Sequence, residues 1–262
     1  MNFAGHADFH RALALAGRLA DTSRAIARSY FRRPIDVEQK PDRSPVTVAD
    51  RAIETELRRM IRAEFPTHGI QGEEFALEPG EEFTWVLDPI DGTKSFISGF
   101  PLFGSLIALV REGEPMLGII ETPAIGERWV GCAGLPTLFN GETARASVCS
   151  RIEAARVYTT SADAFDPEGW QRFDRLSRRA ALRRFGGDCY LYGLLASGHC
   201  DLVIETGLKP HDFLALVPVV QGAGGRISDW QGAPLGLHSG SHVVAAATES
   251  LWRQAIDALA AG

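Results

Sequence analysis

The residues best suited to chemistry sit in one short run, Trp85-Val86-Leu87-Asp88-Pro89-Ile90-Asp91-Gly92-Thr93. An apolar stretch delivers Asp88 and Asp91 at its carboxyl end, in a turn that Pro89 stiffens by fixing its own φ. Two carboxylates three residues apart in a rigid turn can converge on hard divalent cations, which take oxygen ligands. Gly92 permits close backbone approach, and Thr93 can open a helix, so that the amides of Gly92 and Thr93 would meet a phosphate there. The spacing alone leaves a second reading open, an Asx-type turn that caps a helix with no metal.

Other reactive side chains assemble into nothing comparable. Ser95 lies close by but has no evident His base, so no covalent nucleophile is suggested. His6, His10, His68, His199, His238 and His242 are scattered, and His211 alone adjoins another acid of interest, Asp212. Cys132, Cys149, Cys189 and Cys200 form no C-x-x-C pair, which leaves a zinc or redox motif unsupported and reads as buried thiols. A formal net charge of −6 without a long basic run argues against nucleic acid as a partner. An acidic protein that handles a phosphate needs local neutralisation, and a divalent metal is the obvious means. No apolar run approaches the ~20 residues of a membrane span, and the N-terminus lacks the apolar core of a signal peptide. The expectation is a cytoplasmic protein with no membrane partner.

These residues need elements to hold them. Phe9, Leu13, Ala16, Ala20, Ala27 and Tyr30 recur at helical spacing, which predicts a packed amphipathic helix. A turn region with Pro34, Pro41 and Pro45 follows. A second helix is expected from Val48, turning Ile53, Leu57, Met60 and Ile61 inward and stopping before Pro66; its entry, Thr47-Val48-Ala49-Asp50, resembles a capping box with Asp in the Glu position. From Thr84 the pattern turns to strands: 84–87, 103–110, 115–121 and 127–133 predict a largely antiparallel sheet beside the two helices. After about residue 150 strands (157–161, 202–205, 225–228, 242–247) alternate with helices (167–179, 189–197, 213–221, 249–260). The reading is two halves, 1–150 and 151–262, with the active site between them.

The string from Asp88 to Thr93 closely resembles the D-P-x-D-G-[ST] signature of the inositol-monophosphatase-like superfamily of metal-dependent phosphatases. His211-Asp212-Phe213-Leu214-Ala215-Leu216, ending at Ala223-Gly224-Gly225, resembles its W-D element, with His211 in place of the usual Trp. Gly72-Glu73-Glu74 is similar to its G-E-E element, and Val46-Thr47-Val48-Ala49-Asp50 to its V-T-x-x-D element. The four occur in order and span residues 46 to 225. The resemblance implies a layered α-β-α-β-α sandwich of the sugar-phosphatase type within the α/β class, a homodimer, and two to three Mg²⁺ per site, with Mn²⁺ as an alternative. It implies that Asp88 bridges two metals, that Glu73 and the backbone carbonyl of Ile90 complete the first, and that Asp91 and Asp212 complete the second. Glu73 would also support a third, weaker ion. Thr93 and Asp50 would position and deprotonate the attacking water. Without the resemblance, Glu73 and Glu74 read as a solvated acidic loop, Asp50 as a cap, and Asp212 as a helix N-terminal acid favoured by the dipole.

Within the superfamily, Lys94 to Gly104 (K-S-F-I-S-G-F-P-L-F-G) resembles the histidinol-phosphatase branch, as does Glu205 to Asp212, although His211 stands where that branch usually has Tyr. Histidinol phosphate carries an ammonium and an imidazole, so its pocket should offer carboxylates away from the metals. Glu205 is the first candidate. Asp188, after Gly186-Gly187, is the second, with an alternative role as N-cap of the following helix. Lys94 would touch phosphate or pair with a nearby acid, and Lys209 would be structural or rim-exposed. The expected activity is therefore a Mg²⁺-dependent phosphomonoesterase acting on a small phosphate ester, a histidinol-phosphatase of histidine biosynthesis. The alternatives are an inositol-1-monophosphatase or broad phosphatase, and, from another class, a non-catalytic metal or phosphometabolite sensor.

Overall fold

The computed structural model describes His6, residues 8–39 and residues 45–261, so Pro41 of the expected turn region lies outside the described residues. The chain opens with helix α1 (Phe9–Tyr30), a short antiparallel pair β1 (Val37–Gln39) and β2 (Pro45–Thr47), and helix α2 (Val48–Glu64). The buried stripe of α1 runs through Ala12, Leu15, Ala16, Leu19, Ala20 and Ala27, with Leu13 and Tyr30 half-buried at its rim. α2 begins with the expected capping box: Thr47 Oγ1 accepts from the Ala49 amide at 3.1 Å, and Asp50 Oδ2 accepts from the Thr47 amide at 2.8 Å. Two otherwise orphaned helix-end donors are satisfied by residues three apart in the chain.

A seven-stranded sheet follows, in chain order across the sheet: β3 (Gly69–Gly72), β4 (Phe83–Asp91), β5 (Gly104–Arg111), β6 (Glu114–Thr122), β7 (Glu127–Cys132), β8 (Leu138–Phe139) and β9 (Glu142–Thr143). Only the β3–β4 pair is parallel. The register of β4 on β5 shifts between Asp88, opposite Leu106, and Asp91, opposite Gly104. Two residues three apart on a regular strand point to opposite faces. The extra residue of this bulge turns both carboxylates the same way. Gly92, at φ 79°, then starts the short helix α3 (Thr93–Ile97).

The remaining strands, β10 (Arg156–Thr159), β11 (Leu182–Phe185), β12 (Leu202–Glu205), β13 (Arg226–Ser228) and β14 (Val243–Ala246), form a second sheet in the order β11-β10-β12-β14-β13. The helices that alternate with them are α4 (Pro167–Ser177), α5 (Tyr190–Ala196), α6 (Pro210–Phe213), α7 (Leu216–Gly222) and α8 (Glu249–Ala260). Alternating residues along the strands assign the layers. Trp85, Leu87, Ile107 and Leu109 face α1 and α2. Val86, Leu106, Ala108 and Trp129 face Leu191, Leu195, Val219 and Val220 of α5 and α7, which also cover Val203 and Ala245 of the second sheet. On that sheet's far side, Val157, Leu202 and Val244 pack on Phe173 of α4 and Leu251 of α8. The result is the layered α-β-α-β-α sandwich.

Three local readings change. The helix expected over 213–221 is two helices, because Pro218 has no amide to bond the Leu214 carbonyl. β3 is a strand despite its two glycines, held by its parallel pairing to β4. β11 was missed because it lies at the edge of its sheet, where Leu182 and Phe185 stay largely exposed and no buried face marks the sequence. No helix among the described residues is long and apolar enough to cross a membrane.

Leu19 is fully buried between α1 and the first sheet. Leu19→Ala is expected to cost about 2–5 kcal/mol, read as a lower urea midpoint with an unchanged denaturant slope.

Candidate active site

Three distant segments meet at the end of the β4 bulge. Asp88 and Asp91 come from β4 and Asp212 from α6, and one carboxylate oxygen from each lies within 4.8 Å of the others. Glu73, immediately after β3, lines the same cavity as Asp91 and Asp212, and its charge acts on Asp50, Asp88 and Asp212. Burial is the main cause that holds the Asp88 carboxyl well above its ordinary range, and the charges of Glu73, Asp91 and Asp212 add to it. Asp91 is likewise well raised, by burial and then by Asp188 and Asp212, with the Cys189 amide opposing. Asp212 is raised by burial, against which the charge of His211 and the Lys209 amide act. His211 Nε2 lies 3.5 Å from Asp212 Oδ1, so the residue in the usual aromatic position sets an imidazole nitrogen against this carboxylate.

The donor set fits divalent cations. Buried like charges this close are costly unless a cation neutralises them. Among the described residues, Asp88 Oδ1 is buried with no hydrogen-bond partner, and so is Asp50 Oδ1. An all-carboxylate set with a backbone carbonyl nearby suits the hard ions Mg²⁺ and Mn²⁺. Three of the acids are held by hydrogen bonds. Asp91 Oδ2 accepts the Cys189 amide at 2.5 Å, and Asp212 Oδ2 accepts the Lys209 amide at 2.7 Å. Asp50 Oδ2 accepts both the amide and the hydroxyl of Thr47. The Ile90 carbonyl accepts from Thr93 Oγ1 at 3.1 Å, which places the Thr93 hydroxyl beside a backbone oxygen of the metal loop.

The cavity over these residues has a volume of about 730 Å³, and Gly92 and Thr93 line it together with Asp188 and Glu205. Asp188 has φ 47° and follows two further left-handed residues, Gly186 and Gly187, which turn its side chain back over the metal loop. Its Oδ2 accepts Ser95 Oγ at 2.7 Å. A Cβ added to Gly92 would stand 2.5 Å from that oxygen, which is one reason for the glycine there. The cap of α5 is Cys189, with no side-chain capping bond, so of the two readings of Asp188 the N-cap is set aside. The charge of Lys94 lowers the Asp188 carboxyl while burial raises it more. Lys94 thus acts on a neighbouring acid.

Glu205 is only 5% exposed, and its two oxygens accept the Thr160 amide (3.0 Å) and the Tyr192 hydroxyl (2.8 Å). Burial pushes its carboxyl up to about 7. It therefore forms a wall of the pocket, with its hydrogen-bonding capacity already engaged by the protein. Sequence reasoning missed the Cys189 and Lys209 amides, Ser95 as a partner of Asp188, and Tyr192. Only the Lys209–Asp212 spacing, a helix cap to its third residue, carried a usable signal.

A model described as the inositol monophosphatase family matches residues 9–261. The chain is 45% identical over 262 residues to the bifunctional phosphatase IMPL2, chloroplastic, of Arabidopsis thaliana, covering 96% of this chain and 76% of that protein. It is 40% identical over 223 residues to a histidinol-phosphatase of Chlorobaculum parvum, covering 84% and 86%. Among solved structures it resembles an inositol monophosphatase from Zymomonas mobilis, with a TM-score of 0.89, 47% identity, and 97% and 99% of the two chains covered.

The raised Glu205 carboxyl makes a signed prediction. Its neutral form is favoured in the folded state, so that contribution to stability is present below about pH 4.5 and is lost as pH rises through about 7. In metal-free protein, Glu205→Gln should gain thermal stability relative to the parent as pH rises across that window. The gain should be on the order of 3 kcal/mol, on top of a constant loss from the altered hydrogen bonds. A pH-independent difference in melting temperature would contradict it.

Proposed function

The chain belongs to the inositol monophosphatase family, and from that premise we propose that it is a Mg²⁺-dependent histidinol-phosphatase, converting L-histidinol phosphate and water to L-histidinol and phosphate. Phosphoric monoester hydrolysis of small phosphate esters is the family's chemistry. The substrate is inferred from Asp188. Ser95 and Gly92 hold its carboxylate beside the metal loop, and Glu205 stands near enough for the two charges to interact. This second acidic centre favours a leaving group that carries an ammonium and an imidazole over a neutral polyol. The similarity to histidinol-phosphatases supports the same choice.

In this reading Asp88, Asp91, Asp212, Glu73 and the Ile90 carbonyl hold two to three Mg²⁺, or Mn²⁺ in their place. When bound, the ions neutralise the phosphate, lower the pKa of water and stabilise the leaving alkoxide. The Gly92 and Thr93 amides bind the phosphate oxygens at the start of α3. Thr93 Oγ1 orients the attacking water, and Asp50, whose Oδ1 has no partner among the described residues, accepts its proton with Glu73 alongside. Asp188 binds the substrate amino group. The Glu205–Tyr192 wall, joined by its own hydrogen bond, flanks the space left for the imidazole. Division of labour between residues 1–150 and 151–262, a homodimer and a cytoplasmic location belong to the same proposal.

A second reading has its own support. The cavity is roomy, and the hydroxyl-bearing residues Ser161 and Thr206 line it, which suits a polyol such as inositol-1-phosphate.

Phosphate release from a panel of monoesters with Mg²⁺ separates the two. We expect kcat/KM for L-histidinol phosphate to exceed that for inositol-1-phosphate by about 10-fold or more, and Asp188→Asn to erase about 10- to 100-fold of that preference. Parity between the substrates would reject the assignment. Asp88→Asn and Asp212→Asn should each lower kcat for every ester by at least about 10²-fold.

A further inference from the structure

α2 carries charges where a packed helix should be apolar. Asp50, Glu54 and Arg58 follow one another at four-residue spacing beside the core stripe of Ile53, Leu57 and Ile61, and are 0%, 0% and 3% exposed. Buried ionisable groups are costly unless their polar atoms are bonded, so their partners indicate what they are for. Glu54 Oε2 accepts the Glu74 amide at 2.7 Å, and Oε1 accepts the Phe75 amide at 3.3 Å and Arg58 Nε at 2.7 Å. Arg58 gives its other donors to the Phe75 carbonyl at 3.1 Å and to Glu78 at 2.7 Å. Apart from the bond between the two, these contacts all go to the segment that directly follows Glu73. On the other side of Glu73, a Cβ added to Gly72 would lie 1.9 Å from Glu54 Oε1. The carboxylate thus fills the space a side chain would need, and the backbone on both sides of Glu73 rests on it.

We propose that Glu54 and Arg58 are positioning residues for the metal centre: by clamping the backbone around Glu73 they present its carboxylate to Asp88 and Asp50, and so set the affinity for the divalent cation that Glu73 helps to hold. An apolar pair could fill the same volume but could not accept two consecutive loop amides. Asp50 lies one turn earlier on the same helix, so the clamp also fixes the spacing between the proton acceptor and Glu73. The inference rests on the reading of Glu73 as a metal ligand.

The test is Mg²⁺ titration calorimetry on the metal-free full chain, with circular dichroism and melting temperature to confirm folding. Glu54→Gln replaces one acceptor by a donor and removes the charge opposite Arg58. Gly72→Ala leaves every charge in place and pushes the carboxylate off the loop. Both should raise the Mg²⁺ Kd by about 10-fold, in the range of lost supporting contacts around a metal. Phosphate release from the better of L-histidinol phosphate and inositol-1-phosphate should recover to within about threefold of the parental kcat once Mg²⁺ saturates, a split that separates affinity from chemistry. Glu73→Gln should weaken Mg²⁺ and lose kcat at any concentration. Folded Glu54→Gln and Gly72→Ala proteins with the parental Kd would overturn the proposal. If Glu54→Gln does not fold, Gly72→Ala alone decides in the same way. If Glu73→Gln keeps both the parental Kd and kcat, Glu73 is not a ligand; the proposal falls with that reading, and the silent Glu73 variant identifies this failure.

Discussion

Asp88, Asp91 and Asp212 press carboxylate oxygens within 4.8 Å of one another, with Asp88 only 2% exposed to water that would screen them. Each fully ionised pair at that distance repels by on the order of 3 kcal/mol at an effective dielectric of about 20. Hydrogen bonds do not remove the conflict, since Asp88 Oδ1 has none among the described residues. Protonation or bound cations are the two ways to relieve it, and at neutral pH a divalent ion does so while leaving the oxygens available as ligands. The need to hold like charges together shapes much of the surrounding structure.

The fold meets that need by tying each acid to rigid backbone. The bulge in β4 brings Asp88 and Asp91 to one side. The Cys189 amide, at the start of α5, holds Asp91 from the layer between the two sheets, and the Lys209 amide holds Asp212 at the start of α6. Asp188 reaches back to Ser95 of α3, so the segment that enters α5 contacts the metal loop twice. On the opposite side, α2 presents Asp50 at one end of its buried polar stripe and grips the Glu73 loop with the rest. The residues proposed for substrate and for metal therefore share supports: the left-handed turn 186–188 that orients Asp188 also aims the amide that steadies Asp91.

Much of this was legible in the chain itself. The two main helices, the antiparallel meander and most later elements follow from periodicity, and the acids proposed as metal ligands stand out through four ordered motifs. What stayed hidden depended on long-range geometry. Asp88 and Asp91 at odd spacing on a strand give no hint of the bulge that aligns them. Asp188 before a helix has the pattern of a cap, and only its left-handed backbone, set by the preceding glycines, sends it toward Ser95. Glu205 is correctly placed by its strand end, but a sequence cannot show that Thr160 and Tyr192 already occupy its oxygens. Glu54 and Arg58 look like a solvent-facing i,i+4 pair, and burial alone reveals otherwise. The break between α6 and α7 had a local signal in Pro218, which the apolar pattern of 213–221 overrode.

The most direct test of the account is a crystal soaked in Mn²⁺ and measured at an energy where manganese scatters anomalously. The account predicts at least two anomalous peaks bridged by Asp88, one sharing Glu73 and the Ile90 carbonyl and the other sharing Asp91 and Asp212. A saturated crystal with no peak at Asp88, or with these carboxylates turned away from a common centre, would contradict it.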